Sequence, residues 1–411
     1  MASIVARSLL LLALPLLAGC AASALPRNGI ADAAVAERAD VPGLTGIRFW
    51  ADETPRDLRS ALASHLPGLP KLAQRAKEID GRPVVETLAL SGGGSDGAFG
   101  AGLLAGWTER GDRPEFEIVT GVSAGAIIAP FAYLGPRYDE ALRIIWTEYG
   151  TSELVTAQIL PGLLGGSSLV DTSKLQSLVA HYVDRKLLRD VAAEYRRGRL
   201  LFVLTTNLDA QRPVVWNLGA LAASGHPEAL ELFRKVILAS AAIPGAFPPV
   251  SIPVTVDGKR YDELHVDGGT TREVFVSPVQ VPIKAFDVLY RKPPIRRIYI
   301  VKNGKLGPEP EVVKPQTLSI AARAIYTLIK NQNLGELYAI YRRARDAGAD
   351  YNLIAVPRTF DGKAKELFDP AYQQALYDAG LAAGRAGGPW MKAPPQAANY
   401  AEPPGRGAAA R

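Results

Sequence analysis

Short apolar runs alternate along this chain with segments whose apolar residues recur every three or four positions. Residues 84–90 form an apolar run that stops at a cluster of glycines, and 116–120 form a second; both read as buried strands. Residues 102–109 and the apolar stretch 124–134 follow them as helices. Further strands are expected at 200–208 and 214–218, with a helix over 228–242. Strands at 297–301 and 352–356 flank a long amphipathic helix that places Leu318, Ala321, Ile325, Leu328 and Ile329 on one face. Strands alternating with helices predict an α/β fold with a mainly parallel sheet covered on both sides.

The two ends lack this pattern. From 21 to about 82 the chain is rich in Ala, Pro and Gly, which suggests a tether with short helices near 55–63 and 69–79. From about 387 onward a Pro/Ala/Gly-rich tail is expected to be disordered. The resulting division is a leader (1–19), a tether (20–82), a folded domain (83–386) and a tail (387–411). At 411 residues, 48% hydrophobic and 21% charged, the chain can bury one large core. A net charge of +6 is compatible with an anionic membrane surface, but no Lys/Arg run forms a nucleic-acid footprint.

One cysteine excludes an internal disulfide framework and a Cys-based zinc site. It stands in Leu17-Ala18-Gly19-Cys20, after a short apolar stretch (9–17) broken by Pro15 and too short to span a bilayer. This resembles a bacterial lipoprotein signal, with Cys20 the site of lipidation. Ala21 and Ala22 follow without an Asp, which in that pattern favours the outer membrane, with the body in the periplasm of a Gram-negative cell. Several acyl chains would anchor the protein stably to the membrane.

Three segments carry chemistry. Gly92-Gly93-Gly94-Ser95-Asp96-Gly97 follows the first strand, and so many glycines leave backbone N–H groups free to converge on a phosphate or a tetrahedral oxyanion. A dinucleotide site is disfavoured, because Asp96 would face the pyrophosphate and the next strand ends Val119-Thr120-Gly121 without an acidic residue for a ribose. Gly121-Val122-Ser123-Ala124-Gly125 lies between a strand and a helix, the context of a nucleophile elbow. His265-Val266-Asp267-Gly268-Gly269 ends a strand in an acidic residue and two glycines, so Asp267 can reach another loop and accept a proton directly. Of the histidines, His65, His181 and His226 suit structural roles. His265 is the rival base, two residues from Asp267 and on the same face of an extended strand.

Together these three ordered motifs resemble those of the patatin-like phospholipase family. Ser168-Leu169-Val170-Asp171 and the stretch from Ala239 through Ser240 to Pro249 are similar too, and the resemblance covers roughly 84–360. It implies a three-layer αβα patatin-like fold, lipid acyl hydrolysis without a metal or other cofactor, Ser123 as nucleophile and Asp267 as base. The oxyanion loop would be Gly92, Gly93 and Gly94, with Gly93 and Gly94 supplying the N–H groups; Gly97, Gly121, Gly125, Gly268 and Gly269 complete the motifs. The chain departs from the family at Asp96, where Arg or Lys is frequent, so a positive charge there is missing or comes from elsewhere. The expected partners are membrane lipids or other acyl esters. The alternatives are a small-ester or lysophospholipid esterase and, in another class, a catalytically silent ligand-binding lipoprotein.

Overall fold

The computed structural model describes residues 27–53, 73–74, 76–158, 167–278 and 281–395. Its first half runs β1 (Arg48–Trp50), β2 (Arg82–Leu90), α1 (Gly97–Arg110), β3 (Ile118–Val122), α2 (Ala124–Leu134), α3 (Asp139–Thr147), α4 (Ser173–Tyr182) and α5 (Arg185–Arg196). There follow β4 (Leu200–Asn207), β5 (Arg212–Asn217), α6 (Ala229–Ser240), β6 (Val250–Val256) and β7 (Lys259–Asp267). The chain closes with β8 (Ile295–Lys302), α7 (Thr317–Ala347), β9 (Asp350–Ala355) and α8 (Pro370–Arg385).

The main path through the sheet is β1-β5-β4-β3-β2-β8-β9, parallel from β4 to β9 and antiparallel at β5 and β1. Strand alternation sends Leu201, Val203, Leu88 and Leu90 to one face, where they pack with α1, α2 and α8. Their neighbours Leu200, Phe202 and Leu204, and further along Ala89, Ile298 and Ile300, go to the other face, covered by the segment after β7 and by α7. The expected three-layer αβα arrangement is therefore present. Close packing of α1 on α8 depends on small residues: a Cβ at Gly102 or Gly106 would meet the carbonyl oxygen of Tyr377 or Leu381 at 2.0 or 2.1 Å.

The register places the site. The first residues of β4, Leu200–Leu204, pair in parallel with β3, and Val122 lies opposite Leu204. β4 then runs three residues beyond β3, and the end of β7 fills the vacated position antiparallel, with Asp267 opposite Thr205. Residues 123 and 267 are thus brought to one row of the sheet.

Several expectations about the ends and about α7 are corrected. Residues 27–53 belong to the folded body rather than to a tether. β1 extends the sheet edge, Ile30, Val41, Leu44, Ile47 and Trp50 are buried, and Arg48 forms a buried ion pair with Glu263. Within the helix expected at 69–79, Glu78–Ile79 is instead a strand paired with Arg82 and Pro83; 55–63 lies outside the described residues. The start of the expected tail is ordered, since Trp390 packs on Trp107 and Tyr299, and Met391 pairs with Leu353. On the apolar face expected for α7, Leu328 is 70% exposed and Ile325 41%, and the helix is buried further on, through Leu337, Ile340 and Ala344.

Candidate active site

Ser123 occupies the turn between β3 and α2 with φ 53° and ψ −121°, a conformation that costs a non-glycine residue on the order of 1–3 kcal/mol. Its surroundings hold it there. The Ser123 N–H donates to Ser240 Oγ (3.0 Å), whose hydroxyl in turn donates to the Leu204 carbonyl, and the Ser123 carbonyl accepts from Ala126 N–H (2.8 Å). The flanking glycines let strand and helix approach. A Cβ at Gly121 would lie 2.3 Å from the Gly125 carbonyl oxygen, and one at Gly125 would lie 2.3 Å from that of Leu90.

Ser123 Oγ donates to Asp267 Oδ2 at 2.6 Å. The other carboxylate oxygen of Asp267 accepts Gly269 N–H (2.7 Å), and Asp267 N–H donates to the Ala242 carbonyl (2.9 Å). Gly268 packs against the backbone of Leu204, which it could not do with a side chain. Burial pushes the Asp267 carboxyl up to about 7, against the hydrogen bonds from Ser123 and Gly269, and the neighbouring Glu273 pushes the same way. A hydroxyl this close to a carboxylate titrating near neutrality can surrender its proton in one step.

The glycine loop lies over this pair. Gly92, part of the expected oxyanion loop but not one of its two expected donors, gives its N–H to the Glu273 carbonyl (3.2 Å). Gly93 (φ 155°) and Gly94 (φ 56°) adopt backbone conformations that favour glycine, and a Cβ at Gly93 would strike the Asn303 carbonyl oxygen at 1.9 Å. Their N–H groups have no acceptor among the described residues. Gly97 begins α1 beneath the ring of Trp146, where a Cβ would lie within 2.2 Å.

His265 is not bonded to this pair. The Glu263 carboxylate can only accept, so His265 Nε2–H donates to it (3.1 Å), and Nδ1 accepts from the Thr205 hydroxyl (2.9 Å), which in turn accepts Trp216 Nε1–H (2.8 Å). Burial lowers the affinity of His265 for a second proton. Burial would raise Glu263, but His265 and Arg48 draw it down to about 2.

Sequence reasoning missed part of the environment. Ser240 and Ala242 brace Ser123 and Asp267 from within the 239–249 stretch, which stood out in the sequence without an assigned role. Asn303 donates its N–H to Ser91 Oγ and its amide to the Ser91 carbonyl, both at 2.8 Å, while Lys302 pairs with Glu273; neither lies in a recognisable motif. The Asp96 carboxylate accepts from Tyr372 (2.7 Å), and burial raises it to about 6. Asp171 accepts the N–H and the hydroxyl of Ser173 at the start of α4. Cys20 lies outside the described residues, among which there is no metal-ligating cluster.

From Ser123 an apolar cavity opens between helices. Ile127, Phe131, Leu178, Val179, Ile243 and Phe247 line it.

A strained serine on a strand–helix turn thus lies against a buried carboxylate, with free loop N–H groups nearby. Residues 88–281 match the family model described as patatin-like phospholipase. No curated relative matches the chain. Among solved structures, VipD from Legionella pneumophila aligns with 72% of this chain and 67% of its own at 13% identity, with a TM-score of 0.31.

Proposed function

We propose that the protein hydrolyses acyl esters of membrane lipids through a Ser123–Asp267 dyad. The observation that carries this reading is the 2.6 Å hydrogen bond from Ser123 Oγ to a buried carboxylate at the end of an apolar cavity. An acyl chain in that cavity sets its carbonyl over Ser123. As Oγ attacks the carbonyl carbon, its proton passes to Asp267, and the oxyanion receives the N–H groups of Gly93 and Gly94. The tetrahedral adduct collapses, the alcohol leaves with the proton from Asp267, and an acyl-enzyme remains. Water, deprotonated by Asp267, then attacks the acyl-enzyme and releases the fatty acid, and the proton returns to Ser123. Every step uses groups of this chain and one water.

Cys20, as the acylated first residue of the mature chain, would keep the domain at the outer membrane beside its substrate. The Leu17-Ala18-Gly19-Cys20 sequence supports this.

Lipid-resolved hydrolysis by the purified protein, alongside labelling with a serine-reactive fluorophosphonate, tests the reading. We expect fatty acid release and a single label on Ser123, both abolished in Ser123→Ala. A folded protein that neither takes the label nor releases fatty acid is instead a silent binding protein. Mass spectrometry of the mature N-terminus tests the anchor, which an unmodified Cys20 would exclude.

A further inference from the structure

Beside the proposed dyad lies a buried ion pair with no part in the steps above. Glu273, six residues after Asp267, and Lys302, at the end of β8, form a salt bridge with side chains 8% and 7% exposed. Buried pairs contribute little net stability, because desolvating two charges offsets their attraction. The position of this one is informative. The Glu273 backbone carbonyl receives Gly92 N–H, and its Cγ would lie 3.3 Å from a Cβ at Gly92, where Ser123 Cβ would lie 3.1 Å away. Glu273 N–H is held by Glu336 of α7 (2.9 Å). One carboxylate oxygen of Glu273 is buried without a hydrogen-bond partner among the described residues. Lys302 continues into Asn303, which grips Ser91 and props Gly93. Lys302 therefore joins the strand end beneath the glycine loop to the segment that carries the base.

We propose that Glu273 and Lys302 are a positioning pair for the hydrolytic site, locking the Gly92–Gly94 loop in register with Ser123 and Asp267. The inference rests on the dyad reading above. It also accounts for a cation near the loop despite Asp96: a Cβ at Gly304 would lie 3.5 Å from both Lys302 Nζ and Asp96 Oδ2. Other charged or titratable groups face the pair from several elements. Asp267 on the base segment and Tyr326 on α7 interact with Glu273, Glu336 on α7 accepts its N–H, and Asp96 on the loop interacts with Lys302, while Lys305 and Glu309 after β8 and Tyr372 on α8 act on Asp96.

Removing one partner strands a buried charge and can unfold the chain, so the decisive variant is the double Glu273→Gln/Lys302→Met, which strands none. With a soluble short-chain ester, we expect this protein to fold but to lose kcat roughly 10- to 100-fold with KM within about twofold, the pattern of a misplaced oxyanion donor. The acid limb of its pH profile should move down, because Glu273, whose charge raises the Asp267 carboxyl, is neutralised. Lys302→Arg keeps the cation and should retain kcat within about fivefold. A folded double variant with the wild-type kcat and pH profile would overturn the proposal and leave the pair a structural feature only. Fluorophosphonate labelling separates the two levels. A labelled wild type with an unaffected double variant refutes the positioning role alone, whereas an unlabelled wild type removes the dyad reading and this inference with it.

Discussion

Asp267→Asn should abolish activity and yet stabilise the protein, in a way that depends on pH. Asn keeps the shape of the site: its oxygen can accept Gly269 N–H as Asp267 Oδ1 does now, and its amide can donate to Ser123 Oγ. What it removes is the charge. Burial raises the Asp267 carboxyl from 3.8 to about 7, so the fold favours the protonated form. Below about pH 4 native and unfolded chains both hold that proton, and ionisation costs the fold nothing. Between there and about pH 7 only the unfolded chain releases it, and the native state loses ~1.4 kcal/mol of stability per pH unit. Above about 7 both states are ionised and the loss stays constant, with a ceiling of ~4 kcal/mol. Asn does not titrate. Urea unfolding of the two proteins should therefore show a small difference near pH 4 that grows to about 2–4 kcal/mol in favour of the variant by pH 8.5. Asp96, Glu117 and Glu336, also raised by burial, titrate in both proteins and cancel. Activity should fall at least about 10³-fold, since members of a catalytic unit fail together. A stability difference that does not change with pH, or a variant less stable than wild type at pH 8.5, would refute the reasoning.

The wild-type kcat/KM on a soluble ester should rise as pH increases through about 7, where Asp267 loses its proton; a flat profile from pH 5 to 8 would exclude a base with that environment. Ser240→Ala should cost about 1–3 kcal/mol, because the buried Ser123 N–H and Leu204 carbonyl both lose their partner, and the relaxed turn should lower kcat tenfold or more. Normal kcat in a destabilised Ser240→Ala protein would confine that residue to the fold. His265→Ala should lower activity less than about tenfold, near ~1.4 kcal/mol, while destabilising the Arg48–Glu263 pair; a loss equal to that of Ser123→Ala in a folded protein would make His265 the base. Leu178→Trp should shift the preferred ester toward shorter acyl chains by filling the cavity beside Ser123, and an unchanged chain-length profile would show that the acyl group binds elsewhere.

The parts of this site that sequence could reveal are those in which the backbone itself makes a local demand. A turn such as Ser123 needs small neighbours for strand and helix to meet, so Gly121 and Gly125 announce it. Gly93 and Gly94 are visible for the same reason, because their φ angles of 155° and 56° disfavour other residues. Ser240, Glu273 and Lys302 are ordinary residues whose roles depend on partners 117, 181 and 29 positions away, and no local pattern encodes that. Periodicity has a similar limit: it found an apolar stripe on α7 but not whether anything covers Ile325 and Leu328, and three residues of β1 carry too little pattern to separate a strand from a tether. The union of nucleophile and base depends on a step in the sheet. Because β4 outruns β3 by three residues, a place opens beside it just beyond Val122, and only a strand running toward Ser123 can both fill that place and end on it. β7 does so antiparallel, and its last residue is Asp267. The alternation of apolar residues reveals each strand, whereas the difference in their lengths at this edge brings the carboxylate to the hydroxyl.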